Sequence, residues 1–290
     1  MKKVFYLILS SFFVSTYFLA YSISSIDKQE TVEFLSIAKA KELFNQINRS
    51  PHFSYFDHDA PGANISSNSE YWDVSVNSER SPILYIKNTT QAPSAALDKL
   101  ISCGGKLECE TVLDLVTQKI AHFFLEQAFD TYHLYRQSYI YGLTQQVLDQ
   151  YYVLPNQNRC GFIELPSRIP SKPGEFGYIP NIDDYKTIFT TGISRGENVF
   201  CIGFNAEGKP LYLGFGVFFS IPRTLEEIEN NLYSQTITAE GNPQNLSLQA
   251  IYKASRETWN IKQKKAKGAA YRFDLKLLKK ISRNPKTLEG

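Results

Sequence analysis

The sequence predicts an α+β protein in which an antiparallel sheet packs on one buried central helix. Apolar residues recur at helical spacing in the first half of the chain, and beyond residue 175 the period changes to alternation. A helix-first, strands-later order of this kind favours segregated helices and an antiparallel sheet over a wound parallel one. The richest helical run, residues 109–129, is the natural central helix.

The elements follow in order. Residues 30–47 carry Val32, Leu35, Ile37, Ala38, Ala40, Leu43, Phe44 and Ile47 near helical period, and Ser50-Pro51 ends the run. Residues 51–79 are rich in Asn, Ser, Asp and Gly with isolated aromatics, Tyr71-Trp72 included, and read as loop with a short strand. Residues 94–100 form a short helix. Gly104-Gly105 breaks the chain before the central helix, whose apolar face is Val112, Leu113, Leu115, Val116, Ile120, Phe123, Phe124 and Phe129. Residues 132–152 continue helical, and residues 155–174 are a polar loop. Residues 176–179, 198–203 and 210–220 read as strands, residues 224–232 as a helix, and residues 239–245 as a loop.

Composition narrows the function. Hydrophobic residues are 43% of 290, enough for a core and too many for a disordered chain. The formal charge is only +2, which argues against a general polyanion binder, so no nucleic-acid partner is expected. The charge is unevenly spread: residues 23–252 hold 17 basic and 26 acidic side chains, residues 253–290 hold 12 and 3. That basic tail suits an acidic body, an anionic membrane surface or a partner, and also a plain solvated helix face.

Lys2 and Lys3 precede an uncharged, largely apolar stretch that closes on Ala20-Tyr21-Ser22, the pattern of an export leader cleaved after Ser22. The chain then divides into a leader (1–22), one folded domain (23–252) and a basic segment (253–290) packed on it, exported to the periplasm or beyond. An uncleaved anchor is the other reading of the same stretch. The four cysteines, Cys103, Cys109, Cys160 and Cys201, form no CxxC pair and have no histidine at zinc-ligand spacing, so no metal is expected. A Cys103–Cys109 bond across Gly104-Gly105 is sterically open.

Cys109 sits where that turn gives way to the central helix. A thiol at a helix N-terminus gains thiolate character from the free N–H groups and the dipole, which suits a nucleophile; cysteine is also a common core residue. Histidine gives no obvious base. His122 lies about 20 Å along the same helix, His133 farther, and His52 and His58 lie in the loop-rich region with nothing aiming them at the helix. Glu108, beside the thiol, and Glu197, at the mouth of a strand, are the carboxylate alternatives, provided burial lifts their pKa toward that of a thiol.

Glu108-Cys109-Glu110-Thr111, Pro173-Gly174-Glu175 with Tyr178 and Asn181, Gly196-Glu197-Asn198-Val199 with Ile202-Gly203, and Tyr212-Leu213-Gly214-Phe215-Gly216 together resemble, in order and spacing, the small bacterial protein-glutamine γ-glutamyltransferases of the spore-coat type. Weaker similarity extends to Tyr71-Trp72, Ser94-Ala95-Ala96-Leu97 and Gly268-Ala269-Ala270-Tyr271. The resemblance covers about residues 40–275.

It implies a papain-like (NlpC/P60-type) core and calcium-independent cross-linking of Gln to Lys side chains through a Cys thioester, with no cofactor. Cys109 matches the family's nucleophile, Glu197 its general base and Glu108 its second base; Tyr178 and Phe215 are candidates to line the substrate channel. Its partners would be proteins with accessible Gln and Lys. Two positions depart from the family: Phe215 replaces its usual His, and Ser194 lies near its usual Trp. A cysteine hydrolase on the same residues, as a protein glutamine deamidase or cell-wall peptide amidase, and an inactive secreted binding protein are the alternatives.

Overall fold

The computed structural model describes residues 28–55, 72–76, 82–86, 92–134, 139–140, 162–165, 169–182, 185–188, 195–239, 250–253, 255 and 270–273. The leader, Tyr71, His58, Cys160, the loop at 240–245 and most of the basic tail lie outside the described residues.

Helix α1 (Lys28–Arg49) buries Ala40, Leu43, Phe44 and Ile47, one stripe at the spacing read in the sequence. Strand β1 (Phe53–Tyr55) follows directly. Strands β2 (Trp72–Val76) and β3 (Pro82–Ile86) form an antiparallel hairpin. Helix α2 (Pro93–Cys103) opens with proline in its first turn, where a missing N–H costs nothing. Strand β4 (Gly105–Leu107) pairs in parallel with β1, Tyr55 opposite Leu107.

Helix α3 (Cys109–Leu125) is the central helix. It stops at Glu126, which takes a positive φ of 48° and bonds its N–H back to the His122 carbonyl at 2.7 Å. Helix α4 (Gln127–Leu134) then restarts in a new direction, and its Asp130 carboxylate accepts from the Ser94 backbone N–H (2.7 Å) and hydroxyl (2.8 Å), capping α2. The continuous helix expected over 109–129 is therefore two. The helix expected over 132–152 is corrected in its described part: α4 ends at Leu134, and Tyr139–Ile140 form strand β5, paired to β3 through Leu84 and Ile140, while residues 141–152 lie outside the described residues. Aromatic and β-branched residues there favour pairing once a partner strand is at hand, which local periodicity does not reveal.

The main sheet has the order β10-β9-β8-β7-β11-β6, every neighbouring pair antiparallel. Its strands are β6 (Phe162–Glu164), β7 (Phe176–Pro180), β8 (Gly196–Phe204), β9 (Pro210–Gly214), β10 (Arg223–Thr224) and β11 (Ala270–Phe273). A one-turn helix α5 (Tyr185–Ile188) follows β7, and helix α6 (Leu225–Ala239) follows β10. The strand expected over 210–220 is shorter than that, because the chain leaves the sheet at Gly214 and coils as a 3-10 turn, Val217–Ser220.

The pleat of β8 sorts two cores. Phe200 and Ile202 join Phe176, Leu213, Tyr271 and Phe273 under the helices, in one cluster with Leu43, Leu113, Val116 and Ile120. Val199 and Cys201 face the other way, onto Ile228 and Leu232 of α6 with Tyr212 and Phe219. The central helix is buried over nearly all its circumference, polar side chains included, from Thr111 to Ala121. Phe123, expected on its apolar face, is instead 46% exposed, because α4 turns away beyond it.

Asp114 is the odd member of that buried run. Its Oδ2 has no hydrogen-bond partner among the described residues, and burial, then Glu110, push its pKa well above the carboxylate range. A raised folded pKa adds stability that is present at low pH and lost as pH climbs through it. Asp114→Asn should therefore raise the melting temperature, by more at pH 9 than at pH 5, with about 1–3 kcal/mol at stake for the buried polar atom. Equal shifts at both pH values would contradict a titrating carboxyl.

Candidate active site

The β1–β4 pair delivers the chain to the start of α3 with Tyr55 alongside. Glu108 takes the extended N-cap conformation, and its carbonyl accepts the first intrahelical bond from Val112 N–H at 3.0 Å. Cys109 is thus the first residue of the helix, partly buried, with the sheet in front of it.

On that sheet, Asn198 precedes Phe200 and Ile202 along the α3-facing side of β8. Its Nδ2 lies 3.3 Å from Cys109 Sγ, donating to it. Asn198 is only 6% exposed. In the register of the sheet its neighbour on β7 is Tyr178. The Tyr178 ring covers Gly196, where a Cβ would come within 2.5 Å of the tyrosine Cζ and Oη, so glycine is what allows that ring to lie flat on the strand.

Glu197 is 5% exposed, and its carboxyl is pushed up to about 8 by burial first and by Glu108 second. It reaches the thiol electrostatically, while the hydrogen bond to sulfur comes from Asn198. The Cys109 thiol is itself raised far above its ordinary value, by burial, then Glu197, then Glu108, with the Asn198 hydrogen bonds opposing. The thiolate character expected from the helix N-terminus is therefore overridden: desolvation and two acidic neighbours both disfavour a second anion.

Tyr178 and Tyr55 are raised as well, each by burial first and then by the surrounding acidic groups, Cys109 and Glu197 among them. Both phenols stay protonated and remain donors. Tyr55 is 49% exposed as a residue, yet its hydroxyl end turns inward and donates to the Phe215 carbonyl at 2.7 Å. The Tyr55 and Phe215 rings stand 4.8 Å apart, so buried Phe215 backs the tyrosine that borders the thiol.

The structure thus gathers Cys109, Glu108, Glu197 and Tyr178, and sets Phe215 one layer behind Tyr55. Asn198 and Tyr55 escaped the sequence reading. Asn198 stood in a quoted motif and alternates with the core residues of its strand, a signal that was legible; Tyr55 arrives through a parallel pairing that leaves no local trace. His122 is engaged elsewhere: its Nδ1 lies 3.1 Å from Lys119 Nζ, which also bonds Asp98 at 2.7 Å. Cys103, Cys109 and Cys201 are all free thiols, so Cys103 and Cys109 are unbridged.

Other residues of the quoted blocks have structural work. Glu175 Oε2 accepts from the backbone N–H groups of Ser171 (2.7 Å) and Lys172 (3.0 Å), fixing the turn into β7. Asn181 Oδ1 accepts from Ile182 N–H (2.7 Å) and the Tyr252 hydroxyl (2.9 Å). Gly216, at φ 100°, leaves no room for a side chain beside Tyr55, whose Oη is 2.6 Å from where a Cβ would stand.

That loop is pinned from α1. Asn48 Nδ2 donates to the carbonyls of Gly214 (2.9 Å) and Phe219 (3.3 Å), and its Oδ1 accepts from Gly216 N–H (2.9 Å). Asn48→Ala should cost about 1–3 kcal/mol of stability by orphaning these groups. It should also loosen Tyr55, since the Phe215 carbonyl that accepts from its hydroxyl is in the released segment. Thermal melts check the first; an unchanged melting temperature would remove the pin.

The sheet and the buried Cys-bearing helix together make an α+β fold. The chain is similar in structure to a transglutaminase from Geobacillus stearothermophilus, without its C-terminal extension, at a TM-score of 0.53 and 15% identity over 89% of this chain and 97% of that one. No protein-family model and no curated protein sequence matches it.

Proposed function

We propose that the protein is an exported protein-glutamine γ-glutamyltransferase, with Cys109 as nucleophile, Glu197 as general base and Glu108 as its second carboxylate. The observation that carries this reading is a thiol at the head of a buried helix, hydrogen-bonded by Asn198, with the Glu197 carboxyl, pushed up to about 8, within electrostatic reach. A carboxyl in that range is matched to accept and return protons near neutral pH, as an ordinary glutamate is not.

The reaction proceeds in two halves. Glu197 takes the thiol proton as Sγ attacks the carbon of a glutamine carboxamide, and the carbonyl electrons pass to oxygen. Collapse breaks the C–N bond, Glu197 returns the proton, and ammonia leaves a thioester. A lysine amine then attacks the thioester carbon, its proton passes to Glu197, and the thiol departs to leave an isopeptide bond. Tyr178 and Tyr55 border the channel. The leader supports export, and the basic segment suits contact with an anionic surface.

The test is incorporation of a fluorescent primary amine into a glutamine-rich acceptor protein, with ammonia release recorded in parallel. Both signals are expected. Ammonia without amine incorporation would assign a hydrolase on the same residues, and silence in both under reducing conditions would leave a binding protein on this fold.

A further inference from the structure

Negative charge must appear on Cys109 Sγ before it can attack, and the surroundings oppose it. Burial acts against it first, and Glu197 and Glu108 add to that. A cationic partner would be the common solution, but the nearest histidine on the same helix, His122, is occupied with Lys119 at the far end. What touches the sulfur is a neutral amide. Asn198 Nδ2 stands 3.3 Å from Sγ, the residue is buried, and its position in β8 is fixed by pairing with Tyr178 of β7, while the ladder to β9 begins at the next residue, Val199.

We propose that Asn198 is a further catalytic residue, whose side-chain N–H holds the Cys109 thiolate and then the oxyanion formed when that thiolate attacks. The two roles follow from one position. In the tetrahedral intermediate sulfur and oxygen are bonded to the same carbon, so a donor in contact with the sulfur is within reach of the oxygen. As the S–C bond forms, the sulfur loses its charge and the oxygen gains it, and the amide donor is released from the first just as the second needs it. A rigid strand supplies this donor without reorganisation, and a neutral one leaves Glu197 free to hold or give up its proton.

This inference rests on the proposed chemistry, and alkylation of the thiol tests its first half without any acyl substrate. Iodoacetamide modification of Cys109, followed from pH 6 to 10 in a Cys103→Ser background, should shift to higher pH in Asn198→Ala, with about a tenfold slower rate at pH 8. Asn198→Asp keeps the volume and adds an opposing charge, so its shift should be larger; it also serves if the alanine variant fails to fold. In the ammonia-release assay kcat should fall on the order of 10²-fold with KM changed far less. A folded variant whose alkylation profile stays where the wild type has it, or a loss of turnover carried by KM alone, overturns the assignment. Wild-type protein that alkylates normally but releases no ammonia would refute the proposed function, while the variant alkylation profiles would still decide whether Asn198 holds the thiolate.

Discussion

Replacing Cys109 by alanine is expected to abolish ammonia release and amine incorporation together, by at least about 10³-fold, because loss of a covalent nucleophile leaves only binding and electrostatics behind. Neither of the other described thiols can substitute. Cys103 is exposed at the end of α2, outside the ring of acidic groups. Cys201 is buried on the opposite face of the sheet among Tyr212, Phe219 and Ile228, its thiol donating to the Gly203 carbonyl at 3.8 Å and pushed up to about 12, chiefly by burial. Cys103→Ser should therefore retain full turnover. Parallel loss of both products in Cys109→Ala, with an unchanged melt, would place one thiol in both halves of the reaction; ammonia release that survives the substitution would require another nucleophile.

The second large effect is that of Glu197→Gln. With the carboxyl poised at about 8, the wild type should gain activity as pH rises through that value, where the base becomes available. The amide variant should lose about 10²–10⁴ in kcat and with it this rising limb. Stability should move the other way. A carboxyl raised from 4.5 contributes stability in full below its unfolded value and loses it as pH climbs through 8. Glutamine does not titrate, so the variant should gain on the wild type between pH 5 and 9, by on the order of a few kcal/mol. Melts at the two ends of that window, beside pH–rate profiles, check both. A rising limb that persists in the variant would assign the ionisation to a group other than Glu197.

The contrast between these two residues reflects how they were found. Cys109 could be placed from local signals alone, a diglycine break followed by an amphipathic run, and the structure has it as the first residue of the helix. The resemblance singled out Glu197, and the structure adds its burial and the acidic neighbours that shift it. Asn198 was quoted with it and given no role, because which face of β8 meets α3 depends on how strand and helix dock. Tyr55 was missed altogether: the parallel pairing of β1 with β4 joins segments some fifty residues apart, and no local pattern records such a contact.

By itself the sequence determined the order of elements, the helix-then-sheet class and the position of the thiol, since these follow from hydrophobic period and from glycine and proline, all short-range. It overran where short-range rules met a competing partner, at residues 132–152, of which Tyr139–Ile140 pair with β3, and at residues 210–220, where the chain leaves the sheet after Gly214. The tertiary structure alone decided which polar group touches the sulfur and how far the carboxyl and thiol depart from their ordinary pKa values. Those quantities depend on desolvation and on the carboxyls of Glu108, at the start of α3, and Glu197, on β8, and burial is a property of the packed molecule rather than of any segment of its chain.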